Sequence, residues 1–157
     1  MVQEIKEQSE FRKIVANEKP TVALITNLMC EKRAVDSMLQ NKTTYVRYET
    51  KGGESHVYTI GQIGTVKVVS TKLPMVGQDM KAKISSANTT TRLFGAFQDL
   101  EHTLLVGIGG SVPHFTDFDK HSRLGDVVVS APTSEQDGYM YVFCEKAEAD
   151  ETGQVRL

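Results

Sequence analysis

Residues 21–39 read TVALITNLMCEKRAVDSML, and the change of periodicity inside that stretch sets the fold class. Thr21 to Thr26 is a short apolar run of the kind found in buried strands, closed by a polar turn at Asn27. Beyond the turn, Ala34, Val35, Met38 and Leu39 fall on one face of a helix. Strand, loop and helix in that order open an α/β domain, in which a sheet lies between helices.

Upstream, residues 1–19 are polar, with Ile5, Phe11, Ile14 and Val15 at roughly helical spacing, and the Lys19-Pro20 step stops a helix. They read as an N-terminal helix or tail. Downstream, from Thr43 to Leu73, the pattern shifts to period two: TTYVRYET (43–50), HVYTIGQI (56–63) and TVKVVSTKL (65–73). With Gly52-Gly53 as a turn and Gly64 as a break, this is an antiparallel hairpin extended into a meander. Between about Gly77 and Leu100, Met80, Ile84, Ala87, Leu93, Phe94 and Phe97 form an imperfect helical stripe, read as a long crossover helix. A strand at His102–Val106, a glycine turn at Gly107–Gly110, a polar loop, a strand at Asp126–Ser130 and a last strand at Gly138–Glu145 follow. The expected fold is α/β, a central mixed β-sheet flanked by helices, with residues 20–146 as the domain and 147–157 as a C-terminal tail.

Composition bounds the function classes. A chain of 157 residues is most economically one domain, and 39% hydrophobic with 24% charged residues excludes disordered and collagenous types. Eighteen basic against 20 acidic side chains leave a formal charge of -2, which gives no whole-chain electrostatic reason to expect nucleic acid or an anionic membrane as partner and leaves a local basic patch open. Cys30 and Cys144 are far apart and read as reduced thiols, Cys30 as a small half-buried side chain; the expected location is cytoplasmic. No apolar run reaches the roughly 20 residues of a membrane span, and the charged start is no secretory signal.

The chemistry-bearing stretches are few. LLVGIGGSVP (104–113) puts three glycines after a strand, where backbone N–H groups can approach a ligand oxygen. Val112 and Pro113 break the dinucleotide-binding fingerprint, and no Gly-Lys-Ser/Thr follows to make a P-loop. In HFTDFDKH (114–121), His114, Asp117, Asp119 and His121 are metal-ligating types, but Ser122 replaces the glycine of a calcium loop and no glutamate closes it, so a solvated loop is expected and no metal. Asp126 in RLGDVVVSAP is expected to cap a turn or pair with Arg123.

Taken in order, TVALITNLMCEKRAVDSML, YTIGQIGTVKVV, LLVGIGGSVP and RLGDVVVSAP resemble the first half of the nucleoside phosphorylase and nucleosidase superfamily, closest to the phosphorylase-like modules of multidomain signalling proteins. The resemblance covers about residues 20–146. It implies that Gly107, Ile108, Gly109 and Gly110 line a nucleoside, and that Glu31 is the catalytic acidic residue that positions or activates water. Against this stands a plainer role for Glu31, an exposed residue opening a helix where the dipole favours negative charge.

The departures are equally specific. Gly107 stands where many members carry Ser or Thr, Leu104 where the phosphorolytic branch has arginine, and Asn27-Leu28-Met29-Cys30 where it has a Gly-Asp-Pro loop. Those losses favour water over phosphate as nucleophile, or no chemistry, with no cofactor expected beyond phosphate as co-substrate. The chain also stops at Leu157, before the family's ribose-gripping Met-Glu segment and its leaving-group Asp. The expectation is a nucleoside-binding domain that cleaves an N-glycosidic bond only when completed by the missing half, and is otherwise a pseudoenzyme. The rival expectation is a non-catalytic interaction or oligomerisation module, with a second copy or a protein as partner.

Overall fold

The computed structural model describes residues 1–5, 7–48, 55–74, 80–111, 113–130, 148–149 and 155–156. The chain forms two compact units, residues 1–109 and 110–157.

The first unit is an α/β fold built as β1 (Val2–Ile5), α1 (Gln8–Glu18), β2 (Val22–Thr26), α2 (Met29–Met38), β3 (Gln40–Tyr48), β4 (Ser55–Ile63), β5 (Val66–Lys72), α3 (Met80–Ala96) and β6 (His102–Val106). The strands form one six-stranded mixed sheet in the order β1-β3-β4-β5-β2-β6. β2 lies parallel to both β5 and β6, β1 parallel to β3, and β4 antiparallel to its neighbours β3 and β5. The mixed sheet and the meander are those expected from the sequence. β1 was not: four residues with no apolar alternation join the sheet edge by backbone pairing with Thr44–Arg47.

Alternation along the strands divides the core between two faces. On one face Ile5, Ala23, Ile25, Tyr45, Tyr58, Ile60 and Val69 pack with Phe11 and Val15 of α1, Leu93 of α3, and Phe97 just beyond it. Phe11, Tyr58 and Phe97 form an aromatic triangle with centroid separations of 5.5, 5.7 and 5.3 Å. On the other face Leu24 and Val68 pack with Val35 and Leu39, from α2 and its end. Helix α1 stops where Lys19 adopts a left-handed φ of 45° ahead of Pro20 and donates its N–H to the Val15 carbonyl at 2.9 Å.

Two details differ from the sequence reading. The crossover helix buries Ala82, Ser85, Thr89 and Leu93, while Met80, Ile84 and Phe94 of the expected stripe are exposed. The buried face is thus made of small and polar side chains, and the Thr89 hydroxyl is satisfied within the helix by donating to the Ser85 carbonyl at 3.0 Å. At the start of β3 a bulge between Gln40 and Thr43 places Asn41 at φ 50°. Facing it, a Cβ on Gly61 would lie 2.9 Å from the Gln40 carbonyl oxygen and 3.0 Å from the Leu39 Cβ, so the bulge requires glycine there.

The second unit is described for residues 110–111, 113–130, 148–149 and 155–156. It holds a 3-10 turn at Phe118–Lys120 and a two-residue antiparallel pairing, β7 (Glu148–Ala149) with β8 (Val155–Arg156). Asp126–Ser130 is not a strand: Val127, Val128 and Val129 are exposed and pair with no strand among the described residues. Their β-branched character favours an extended chain, but a strand exists only where a neighbour takes its backbone groups. The turn at Gly52-Gly53, the last strand at Gly138–Glu145 and Cys144 lie outside the described residues.

Candidate functional site

β2 and β6 run side by side in the same direction and end level, Thr26 opposite Val106. Their onward loops therefore emerge together at the carboxyl end of the sheet, where α/β folds place ligands. Helix α2 begins in the first of these loops with Leu28 as N-cap, a residue with no side-chain acceptor for the free N–H groups of the first turn. Glu31, two residues into the helix from Met29, reaches back with its carboxylate to backbone N–H groups ahead of the helix. Its Oε2 accepts from the backbone N–H groups of Asn27 at 2.9 Å and Leu28 at 2.7 Å. Its Oε1 accepts from the N–H of Ile108 at 3.1 Å, in the second loop.

Glu31 thus ties the two loops together. It does open a helix, but at 8% exposure it is buried rather than solvated. The bond from Leu28 first, then that from Ile108, holds its carboxyl below the usual carboxylate range, with burial opposing and Asn27 assisting. A carboxylate so engaged is a persistent anion and a weak proton acceptor, though Oε1 keeps a lone pair free.

The structure brings Glu31 together with Gly107 and Ile108, and Gly109 continues the same loop. A Cβ on Gly107 would sit 3.4 Å from the Glu31 Oε1. Among the described residues, Gly109 and Gly110 have neither a positive φ nor a neighbour within 4 Å of a Cβ position. Gly110 opens the second unit and is described only within it.

A second constellation went unread in the sequence. Lys32 is 5% exposed beneath α2, with its Nζ 2.6 Å from both carboxylate oxygens of Asp36, 2.9 Å from the Thr59 hydroxyl and 2.8 Å from that of Ser70. Thr44, Thr59 and Ser70 lie in register on β3, β4 and β5, forming a hydroxyl row across the sheet. Thr44 and Thr59 are hydrogen-bonded at 3.1 Å, and Thr59 and Ser70 both donate to Asp36. Burial pushes the Lys32 ammonium below its ordinary value, against the Asp36 contact that raises it. One signal was available: residues 28, 32, 35 and 39 share a helical face, so Lys32 occupies a core position of α2. Beside the cluster is a cavity of about 410 Å³, within the size range of small-molecule sites.

The remaining candidates do not converge. In the second unit the His114 Nδ1 accepts from the Asp117 N–H at 3.0 Å, and the His121 Nδ1 from the His114 N–H at 3.2 Å. Among the described residues no three His, Cys, Asp or Glu side chains are grouped to hold a metal ion. Asp126 accepts from the Arg123 N–H at 2.8 Å and lies 3.8 Å from its Nε, as expected for a turn cap. Cys30 is exposed rather than half-buried. No helix among the described residues is long and apolar enough to cross a membrane.

No family model matches the chain. A nucleotide-binding leucine-rich repeat (NLR)-like protein of Hyaloscypha variabilis is 32% identical over 127 residues, which is 81% of this chain and 12% of that relative. The chain is therefore similar to a small part of a much longer protein.

Proposed function

We propose that this chain is a nucleoside-binding domain of the phosphorylase and nucleosidase type, holding its ligand where the β2–α2 loop and the loop after β6 meet. The observation that carries the reading is the hydrogen bond from the Ile108 N–H to the Glu31 Oε1 at 3.1 Å. It joins the two segments that the resemblance singled out, which are 77 residues apart in the chain. Gly109 supports it, a glycine with no neighbour within 4 Å of a Cβ position among the described residues, whose backbone can be approached from outside. Similarity to part of an NLR-like protein suits a module serving inside a larger signalling chain.

Glu31 acts here as the organiser of the pocket. With three backbone N–H groups already bound, it orients a ligand hydroxyl or a water through the free lone pair of Oε1 rather than accepting a proton. Calorimetric titration with adenosine, inosine, uridine and methylthioadenosine, with and without phosphate, tests the binding. Product analysis of the same mixtures tests cleavage. Saturable binding abolished by Glu31→Ala in a folded chain supports the reading; silence from a folded wild-type chain removes it.

A second reading has its own observation. Among the described residues β6 is an edge strand of the sheet, and Leu104 and Leu105 on its two faces are 50% and 70% exposed. Uncovered parallel edges are rare, so an interaction module completed by a protein partner is the alternative. Sedimentation or light scattering of the pure chain separates self-association from a monomer.

A further inference from the structure

The cavity beside Lys32 is built differently from the rest of the α2 face. Val35 and Leu39 meet Leu24 and Val68 with apolar packing, whereas one turn earlier the same helix buries a lysine over a row of hydroxyls. A buried ion pair contributes little net stability compared with apolar side chains of the same volume. Its retention beside an open cavity calls for another explanation.

The charge balance supplies one. Four charged side chains line the cavity: Lys32, Arg33 and Lys72 against Asp36, a net of two positive charges in a chain whose own formal charge is -2. Lys32 and Asp36 neutralise each other, and each is fully occupied, the ammonium by four oxygens and the carboxylate by Lys32, Thr59 and Ser70. Arg33 and Lys72 are paired with no carboxylate among the described residues. The excess charge thus belongs to these two, and the Thr44 hydroxyl keeps spare hydrogen-bonding capacity beside them. Met29, Val57 and Pro74 give the cavity apolar walls that a bare inorganic ion would leave unfilled.

We propose that this cavity binds a small organic dianion carrying hydroxyl groups, its acidic end held by Arg33 and Lys72 and its hydroxyls by the Thr44 end of the threonine–serine row. A phosphate monoester, close to two negative charges at neutral pH, and a hydroxy dicarboxylate share that chemistry. Lys32 serves the site by cancelling the charge of Asp36, which would otherwise repel the ligand. None of Glu31 or Gly107 to Gly110 lines this cavity, so the site stands or falls independently of the nucleoside reading.

The test is calorimetric titration of the full chain with ribose 5-phosphate, malate, inorganic phosphate and ribose, at low and high salt. Ribose 5-phosphate or malate binds, whichever matches the acid geometry, and binding weakens as salt screens the two cations. Arg33→Gln and Lys72→Gln, both at solvent-reaching positions, each weaken that binding about tenfold, the loss expected for one charge-assisted contact, while Gly109→Ala leaves it unchanged. The proposal is overturned if neither organic dianion binds, if inorganic phosphate or ribose binds as tightly, or if the two charge variants bind like wild type while remaining folded by circular dichroism.

Discussion

Replacing Lys32 by methionine keeps the length and packing of the side-chain stem and removes only the ammonium. The consequence follows from what remains. Asp36 loses the Lys32 Nζ from both carboxylate oxygens but keeps donors from Thr59 and Ser70, and its side chain is 23% exposed to water. Removing one partner of a fully buried pair costs about 3–5 kcal/mol, and the partial hydration of Asp36 lowers the expected loss for Lys32→Met to about 2–3 kcal/mol. Asp36→Ala is the harsher change, because it strands an ammonium that is 7% exposed on two hydroxyls alone, and about 3–5 kcal/mol is expected. The double variant Lys32→Met/Asp36→Ala removes both charges, leaves the Ser70 hydroxyl short of an acceptor and opens a small space at position 36, for a loss of about 1–3 kcal/mol.

Urea unfolding of the four proteins closes the cycle, with an expected coupling of about 4 kcal/mol. The pH dependence carries a second signature. Since burial lowers the folded pKa of Lys32, the unfolded chain binds the extra proton between that value and the ordinary lysine pKa of about 10.4. Wild-type stability relative to Lys32→Met therefore rises as pH climbs from neutral through the folded pKa toward about 10.4. Additivity of the two single changes within about 0.5 kcal/mol, or a pH-independent difference, would refute the reasoning.

Other expectations follow from named contacts. Glu31→Gln can present one acceptor oxygen to Asn27 and Leu28 but turns an NH₂ toward the Ile108 N–H, so hydrogen exchange should quicken most at Ile108; equal exchange there in both proteins would contradict the clamp. Because the folded Glu31 pKa is lowered, its contribution is complete above the ordinary glutamate value of about 4.3 and fades as pH falls through the folded pKa. The stability gap between wild type and Glu31→Gln should narrow over that acid window in denaturant titrations. Gly61→Ala drives a methyl into the Gln40 carbonyl and should cost about 1–3 kcal/mol in urea unfolding, an effect absent at the open Gly95 apart from helix propensity. Phe97→Ala opens a hole in the Phe11–Tyr58–Phe97 triangle and should cost about 3–5 kcal/mol by the same measurement.

How far the fold was legible depended on where burial followed periodicity. β2 and the meander were readable because apolar residues alternate or cluster at the correct period; of the face expected for α2 only Val35 and Leu39 are buried, Ala34 and Met38 being exposed, and β6 forms with the side chains of His102 to Leu105 exposed. β1 was not, since VQEI enters the sheet by backbone pairing at an edge and carries no pattern of its own. The α3 face was misread because it is made of Ala82, Ser85 and Thr89, whose small size and polarity hide them from a hydrophobicity pattern. GDVVV misled in the opposite direction, its β-branched side chains pairing with no strand among the described residues.

The same contrast holds for the candidate sites. A family likeness singled out Glu31 and Gly107 to Gly110 in the sequence, and the structure shows the Ile108 N–H bonded to Glu31. That Glu31 spends its carboxylate on the N–H groups of Asn27, Leu28 and Ile108 follows from two loops meeting in space, which no sequence motif records. Lys32 and Asp36 were passed over because an i, i+4 Lys–Asp pair usually marks a solvated helix face. Only the register of Thr44, Thr59 and Ser70 beneath the helix shows that this pair is internal.

The central claim, a nucleoside held between the β2–α2 and β6 loops, is most directly tested by an amide NMR titration of the labelled chain with methylthioadenosine and adenosine. The account predicts saturable shifts concentrated at Asn27, Leu28, Glu31 and Gly107 to Gly109, all abolished in a folded Glu31→Ala chain. No shifts at saturating nucleoside, or shifts that avoid both loops, would contradict it.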